Sequence, residues 1–265
     1  MTSTPPDHDN NEQADSLASA AQVVAARVHA GATLWCIAPG LDDHARHLAV
    51  EFVHPASLGA HAVSAVALAT RADDDLIDSV RTNARAGDVI VSMGDADTKL
   101  VSELGERSQA WGVTHVHIGW SAQPRTFTAT RFVRIGGDHR AERLLTRAYH
   151  LLWELTFICL HQPQSAVALS ETESCAVCAD EATIGEVEQL LDGDRARVRT
   201  AFGPFRVDVS LVPPLKRHDL LLMHAGSALR VLASAGARPE GVVRPGEHRS
   251  AAAAHSPNLP ARSIS

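Results

Sequence analysis

Gly87-Asp88-Val89-Ile90-Val91-Ser92 is the run on which the first half of the chain turns. Ala86-Gly87 closes an acidic amphipathic segment, 73–84, and the apolar run 88–92 reads as a buried strand. Outward from it, 97–111 has helical spacing and stops at Gly112. Strands are predicted at 114–118 and 131–135, and a long, largely apolar helix at 141–160 with Asp138 as its cap. On the N-terminal side lie strands 33–37 and 63–68, a helix 41–53 ended near His54-Pro55, and a first helix capped by Asp15-Ser16 and stopped by Gly31. Strands that alternate with helices predict a parallel sheet covered on both faces, an α/β three-layer sandwich. Ligands in such sheets bind beyond the carboxyl ends of the strands, here 38–42, 69–71 and 92–97.

The second half has a different grammar. It opens with Ser174-Cys175-Ala176-Val177-Cys178 and continues as short apolar runs at 183–191, 196–201, 205–211 and 219–223. Asp192-Gly193-Asp194 is a hairpin signal and Gly203-Pro204 a further turn. These runs predict a small all-β barrel, OB-like in kind. The expected organisation is a disordered N-terminus (1–14), an α/β domain (15–161), a polar linker (162–173), a β-barrel (174–233) and a disordered tail rich in Ala, Gly, Pro, Ser and Arg (234–265).

Composition narrows the function classes. The 265 residues are 45% hydrophobic, enough for one large or two modest cores. The net charge of -7 is spread through mixed acids and bases without a basic block, which argues against a nucleic-acid partner. No apolar run has membrane-spanning length, and the polar start lacks a signal peptide's apolar segment. Four irregularly spaced cysteines do not form a secreted disulfide framework, so reduced thiols and a cytoplasmic location are expected. Trp35, Trp111, Trp120 and Trp153 read as core residues, Asp73-Asp74-Asp75 as a helix-cap cluster, and neither Ser92 nor Ser102 has a base in a nucleophile motif.

The order of elements, with Ala45-Arg46-His47-Leu48-Ala49-Val50-Glu51-Phe52-Val53-His54-Pro55, Gly87-Asp88-Val89-Ile90-Val91-Ser92 and Arg147-Ala148-Tyr149-His150-Leu151-Leu152-Trp153-Glu154, resembles the sugar isomerase (SIS) fold and within it the phosphoheptose isomerases. The resemblance implies phosphate loops at Gly40, Leu41 and Asp42 and at Ser92, Gly94 and Asp95. Here they are degenerate: Leu41 stands where a Ser belongs, and carboxylates repel a phosphate dianion by roughly 1 kcal/mol per close pair even in bulk water. His47 and Glu51 are four apart on one helix face, and Glu142 and His150 eight apart on another. By resemblance these four fall on the family's metal positions and would hold a divalent ion. Hydrogen-bonded histidines and a solvated glutamate are the plainer reading of the same residues.

The second half, with Asp219-Leu220-Leu221-Leu222-Met223-His224-Ala225-Gly226-Ser227-Ala228-Leu229, resembles the hydrogenase assembly chaperones of the HypC/HupF family. That resemblance implies a carrier of an iron group bearing cyanide and carbon monoxide, Fe(CN)2CO, bound through Cys178 with Cys175 and His224 assisting. Cys175-x-x-Cys178 also reads as half of a zinc site. The implied partners are HypD-like and HypE-like maturation proteins and a hydrogenase large-subunit precursor, with the SIS-like domain as a docking module and site of homo-oligomerisation. The leading expectation is therefore a hydrogenase maturation factor without catalytic activity. The alternative is a phosphosugar isomerase using Glu51 and His150 as acid–base groups, or a sugar-phosphate-binding regulatory protein.

Overall fold

The structure is a computed structural model that describes residues 7–55, 61–69, 73–96, 98–120, 130–136, 141–161 and 182–235. The chain from Met1 to Ala235 forms one compact unit. Its first part runs α1 (Asp7–His29), β1 (Leu34–Ile37), α2 (Asp42–Val53), β2 (Ala65–Leu68), α3 (Asp73–Asn83), β3 (Val89–Asp95), α4 (Lys99–Trp111), β4 (Thr114–Trp120), β5 (Thr130–Arg134) and α5 (Ala141–His161). The sheet order is β2-β1-β3-β4-β5, all parallel. Strand order reverses between β1 and β3, the place where such sheets open a crevice.

Alternation along the strands sorts the two faces. Leu34, Cys36, Val89, Val91, Met93, Val116 and Ile118 join residues of α1, α2 and α5 in one apolar cluster. Ile37 and Ile90 join Leu76, Val80, Leu104 and Trp111 of α3 and α4 in another. Asp88 ties the amino ends of the strands together. Its carboxylate accepts from Thr33 N (2.9 Å), Trp35 Nε1 (3.0 Å) and Arg85 N (2.9 Å).

The second part is a closed barrel, in the order β10-β8-β7-β6-β9. Its strands are β6 (Thr183–Leu191), β7 (Arg195–Thr200), β8 (Gly203–Asp208), β9 (Leu220–His224) and β10 (Ser227–Ala233). The first hairpin turns where expected, with Gly193 at φ 71° and Asp194 at φ 52°. Val187, Val198, Val207, Leu221 and Ala228 fill the interior.

Several expectations need correction. Helix α1 begins at Asp7, not at a cap on Asp15-Ser16; neither Pro nor Gly interrupts the segment between Pro6 and Gly31. Strand β3 continues to Asp95, because its register with β4 runs on to Asp95 opposite Trp120. Ser92, Gly94 and Asp95 are thus strand residues, not loop residues. Gly203-Pro204 opens β8, and the turn lies just before it. Residues 1–6, the linker 162–173 with Cys175 and Cys178 beyond it, and the tail from 236 lie outside the described residues. No described helix is long and apolar enough to cross a membrane.

The barrel sits on α3 and α4. Leu220 belongs to the α3/α4 apolar cluster, with Ile184 and Ala233 packed against it. At the centre is Glu186, 2% exposed. It accepts from Arg81 Nε (2.8 Å), Arg107 Nη1 (2.9 Å), His218 Nδ1 (3.0 Å) and Trp111 Nε1. Arg81 also pairs with Asp78, and Arg107 with Glu103 at 2.9 Å, so the charges alternate. Burial and Arg81 hold His218 below its usual pKa, which suits a neutral ring donating its Nδ1–H. Arg199 returns the connection, donating to the carbonyls of Arg81 (2.7 Å) and Ala84 (2.8 Å). Gly112, the left-handed cap of α4, has no room for a side chain: a Cβ there would lie 2.9 Å from Ala201 Cα.

Removing one member of a buried charge network strands the others. Glu186→Ala should lower unfolding free energy by about 3–5 kcal/mol in urea titration, whereas Asp43→Asn, at the exposed pair with Arg46 (3.1 Å), should change it by about 0–1 kcal/mol. Equal, small effects would remove the network from the account of stability.

Candidate functional site

Helix α2 buries Ala45, Leu48, Ala49 and Phe52, which leaves His47 and Glu51 on its rim. Helix α5 buries Leu145, Ala148, Tyr149 and Leu152, which brings His150 to the matching rim. Trp153 Nε1 donates to the Glu51 carbonyl at 2.8 Å and fixes one helix against the other. His47, Glu51 and His150 then offer ligand atoms that all lie within 4.8 Å of one another. Of the four residues that the resemblance puts on metal positions, the structure brings these three together. The fourth, Glu142, is on α5, and its side chain lies outside the described residues.

Hydrogen bonding decides what this cluster can do. Glu51 Oε1 is 3.1 Å from His47 Nε2 and 3.7 Å from His150 Nε2. His150 Nδ1 is 2.8 Å from the Thr146 carbonyl and must donate its proton there. A neutral His150 therefore turns the lone pair of Nε2 toward a carboxylate. Two electron-rich atoms facing each other call for a cation between them, either a proton on the imidazole or a metal ion. His47 Nδ1 is 3.0 Å from the Tyr149 hydroxyl, which also lies 3.4 Å from His44 Nδ1 and orients the ring. Burial raises the Tyr149 pKa, so the phenol stays protonated. The rings stack edge to face, His47 with His150 at 4.9 Å. Three N/O ligands with an open side, half-exposed to solvent, match a catalytic rather than a structural metal site.

The loop candidates fare differently. Gly40 takes φ 71° just before α2, Leu41 occupies its N-cap without a side-chain bond, and Asp42 and Asp43 fill the first turn. That helix end repels anions. Asp95 ends β3 at the rim of the sheet, next to Gly94 at φ 126°. Ser92 is buried on the α3/α4 face, the opposite side of the sheet from His47 and His150. Its Oγ lies 2.7 Å from both His115 Nε2 and His117 Nδ1, so it donates to one ring and accepts from the other. Sequence reading missed this triad; its signal was His115-Val116-His117, two imidazoles on one strand face. His117 stacks on Phe132 at 5.4 Å. Its Nε2 has no partner of hydrogen-bond geometry among the described residues, so the nearby Gly94 backbone acts on it electrostatically rather than through a formed bond. Gly119 must lack a side chain, since a Cβ would fall 1.9 Å from the Gly94 oxygen and 2.4 Å from His117 Nε2.

In the barrel, His224 ends β9 and lines a cavity of about 310 Å³ with Thr183, Phe202, Phe205, Arg206 and Met223. The expected thiols, Cys175 and Cys178, lie outside the described residues. Cys36 is buried in β1, and burial pushes its thiol up to about 12, which leaves it inert.

No family model matches the chain, and no curated protein matches it. Solved structures do. A phosphoheptose isomerase from Francisella tularensis is similar at 12% identity and TM-score 0.49, over 57% of this chain and 91% of that one. Phosphoheptose isomerase GmhA from Neisseria gonorrhoeae is similar at 18% identity and TM-score 0.43, over 55% and 86%. The sugar isomerase domain of an RpiR transcription factor from Sphaerobacter thermophilus is similar at 11% identity and TM-score 0.41, over 56% and 83%. The likeness is one of fold, in the α/β part. Two expectations change. The expectation of a chain without catalytic activity is corrected: no comparison supports it, and the solved structures of similar fold include phosphoheptose isomerases. The hydrogenase-maturation reading finds no support in any of the three comparisons.

The buried histidines make a prediction about acid. Burial lowers His115 from 6.5 to about 3, and His117 from 6.5 to about 4. On acidification the unfolded chain takes up protons near 6.5 that the folded chain refuses. Stability is therefore full above about 6.5 and falls as pH drops toward about 4. His117→Gln should flatten that slope by about 1.4 kcal/mol per pH unit, one proton's share, in urea titrations across the window. An unchanged slope would show that other groups govern acid unfolding.

Proposed function

We propose that the α/β part is an aldose–ketose isomerase of the sugar isomerase type. The observation that carries the reading is Glu51 set between two imidazoles on an open rim, with His150 Nε2 facing its carboxylate. Glu51 Oε1 is committed to the imidazoles, which leaves Oε2 for substrate. Oε2 takes the proton from the carbon next to the substrate carbonyl and returns it to the former carbonyl carbon. His150 Nε2, protonated, gives its proton to the carbonyl oxygen and recovers one from the neighbouring hydroxyl. Atoms and charge balance without an external oxidant. In place of that proton, a divalent ion held by His47, Glu51 and His150 would polarise the same carbonyl as a Lewis acid.

The substrate class we assign is a phosphosugar whose phosphate sits away from α2, where Asp42 and Asp43 oppose it. One observation favours a second reading, a sugar-phosphate-responsive regulatory module: α4 ties the α/β part to the barrel through Arg107 and Trp111, which hold Glu186.

The test is proton exchange in D2O with pentose, hexose and heptose phosphates and their unphosphorylated forms. Deuterium should enter at the reacting carbon of a phosphosugar, fall at least about a hundredfold in Glu51→Gln, and fall less in His150→Asn. Binding of a sugar phosphate without exchange would select the regulatory reading. Neither binding nor exchange across the panel would overturn both.

A further inference from the structure

The barrel closes between β8 and β10 through a single register pair, Ser227 with Asp208, reinforced where Asp208 N donates to the Gly226 carbonyl at 2.9 Å. Residues 203–207 of β8 therefore have β7 on one side and no described strand on the other. The cavity of about 310 Å³ lies along this seam. Its wall is mostly apolar: Phe205 and Val207 from β8, Met223 from β9, and Phe202 from the turn before β8. Thr200 holds that turn, with its Oγ1 donating to the Gly203 carbonyl at 2.8 Å and accepting from Phe202 N at 3.1 Å. Phe202 is thus presented 66% exposed, and Phe205 is 41% exposed.

Charge at the seam has one sign. No acid lines the cavity, and exposed Arg206 does. Arg206 stands directly across from Arg197, a like-charge pair that costs stability. Glu188 answers Arg197 at 3.1 Å, and Arg195 stands opposite Asp208. Among the described residues Arg206 has no ion-pair partner.

We propose that the seam binds a small arylalkanoic acid, its ring among Phe202, Phe205 and Met223 and its carboxylate on Arg206. The cavity has the volume of about ten water molecules of liquid, room for one ring with a short acid arm. Two phenyl rings and a thioether favour an aromatic guest. A guanidinium favours a carboxylate, which accepts two parallel N–H bonds. Pro204 has no N–H to offer an added strand, so the seam suits a small molecule better than a peptide edge. The inference is independent of what the Glu51 site does.

The test is a titration of the full chain, labelled at its methionine methyl groups, with phenylacetate, 3-phenylpropionate and 4-phenylbutyrate, and with the matching amides as neutral controls. At least one acid should bind saturably and shift the Met223 methyl while Met93, in the sheet core, stays unmoved. Its amide should bind at least about tenfold more weakly. Arg206→Gln should erase that preference, weakening the acid at least about tenfold and the amide less than about threefold. Phe202→Ala should weaken acid and amide alike. Both substituted residues are exposed, so the variants read binding rather than folding. No saturable binding by any of the three acids would overturn the proposal. So would binding that leaves Met223 unmoved, an amide as tight as its acid, or affinity indifferent to Arg206→Gln or to Phe202→Ala.

Discussion

One buried carboxylate holds the two halves of this protein together. Glu186 lies 2% exposed between β6 and the α3/α4 layer, where Arg81, Arg107, Trp111 and His218 all donate to it. Such a network adds little net stability over an apolar contact of the same size, but it is unforgiving of a shift in position. It fixes where the barrel meets the helices, and it explains why Trp111 and Gly112 close so tightly on Ala201 and Arg199. The α/β part and the barrel are therefore one compact unit, whatever their histories as separate patterns in the sequence.

The opposite face of the sheet is free of that constraint and holds the cluster on which the proposed chemistry rests. There α2 and α5 meet through Trp153 and the Glu51 carbonyl, and the cluster of His47, Glu51 and His150 stands on the rim above the contact. The buried polar cluster and the rim cluster lie on opposite faces of the sheet. Ser92, His115 and His117 are locked inside the α3/α4 layer, with rings that burial keeps neutral. His150 and Glu51 are partly exposed on the rim, with His150 Nε2 3.7 Å from the carboxylate.

Much of this was legible in the residues, and the failures have physical causes. Alternating strand and helix periods identified the parallel sheet, and the spacing of His47 with Glu51 placed both on one face because a helix turn is local. Pairing α2 with α5 needed a resemblance, since no local rule brings residue 150 to residue 51. Strand β3 was ended at Ser92, leaving Gly94 and Asp95 to a loop, because strand ends are set by the neighbouring strand's register, which a single segment does not display. Glu186 read as an ordinary strand residue, since its four donors come from segments up to 105 positions away. The start of α1 was missed because polar residues form helix when nothing breaks it and a packed helix follows.

The most direct measurement of the central claim is a crystal structure of the full chain with a hydroxamate analogue of a phosphosugar enediolate. The account predicts the hydroxamate oxygens against His150 Nε2 and the free oxygen of Glu51, with the phosphate away from Asp42 and Asp43 at the start of α2. An analogue bound in the barrel cavity beside His224, with the Glu51 site bare at saturating concentration, would contradict it.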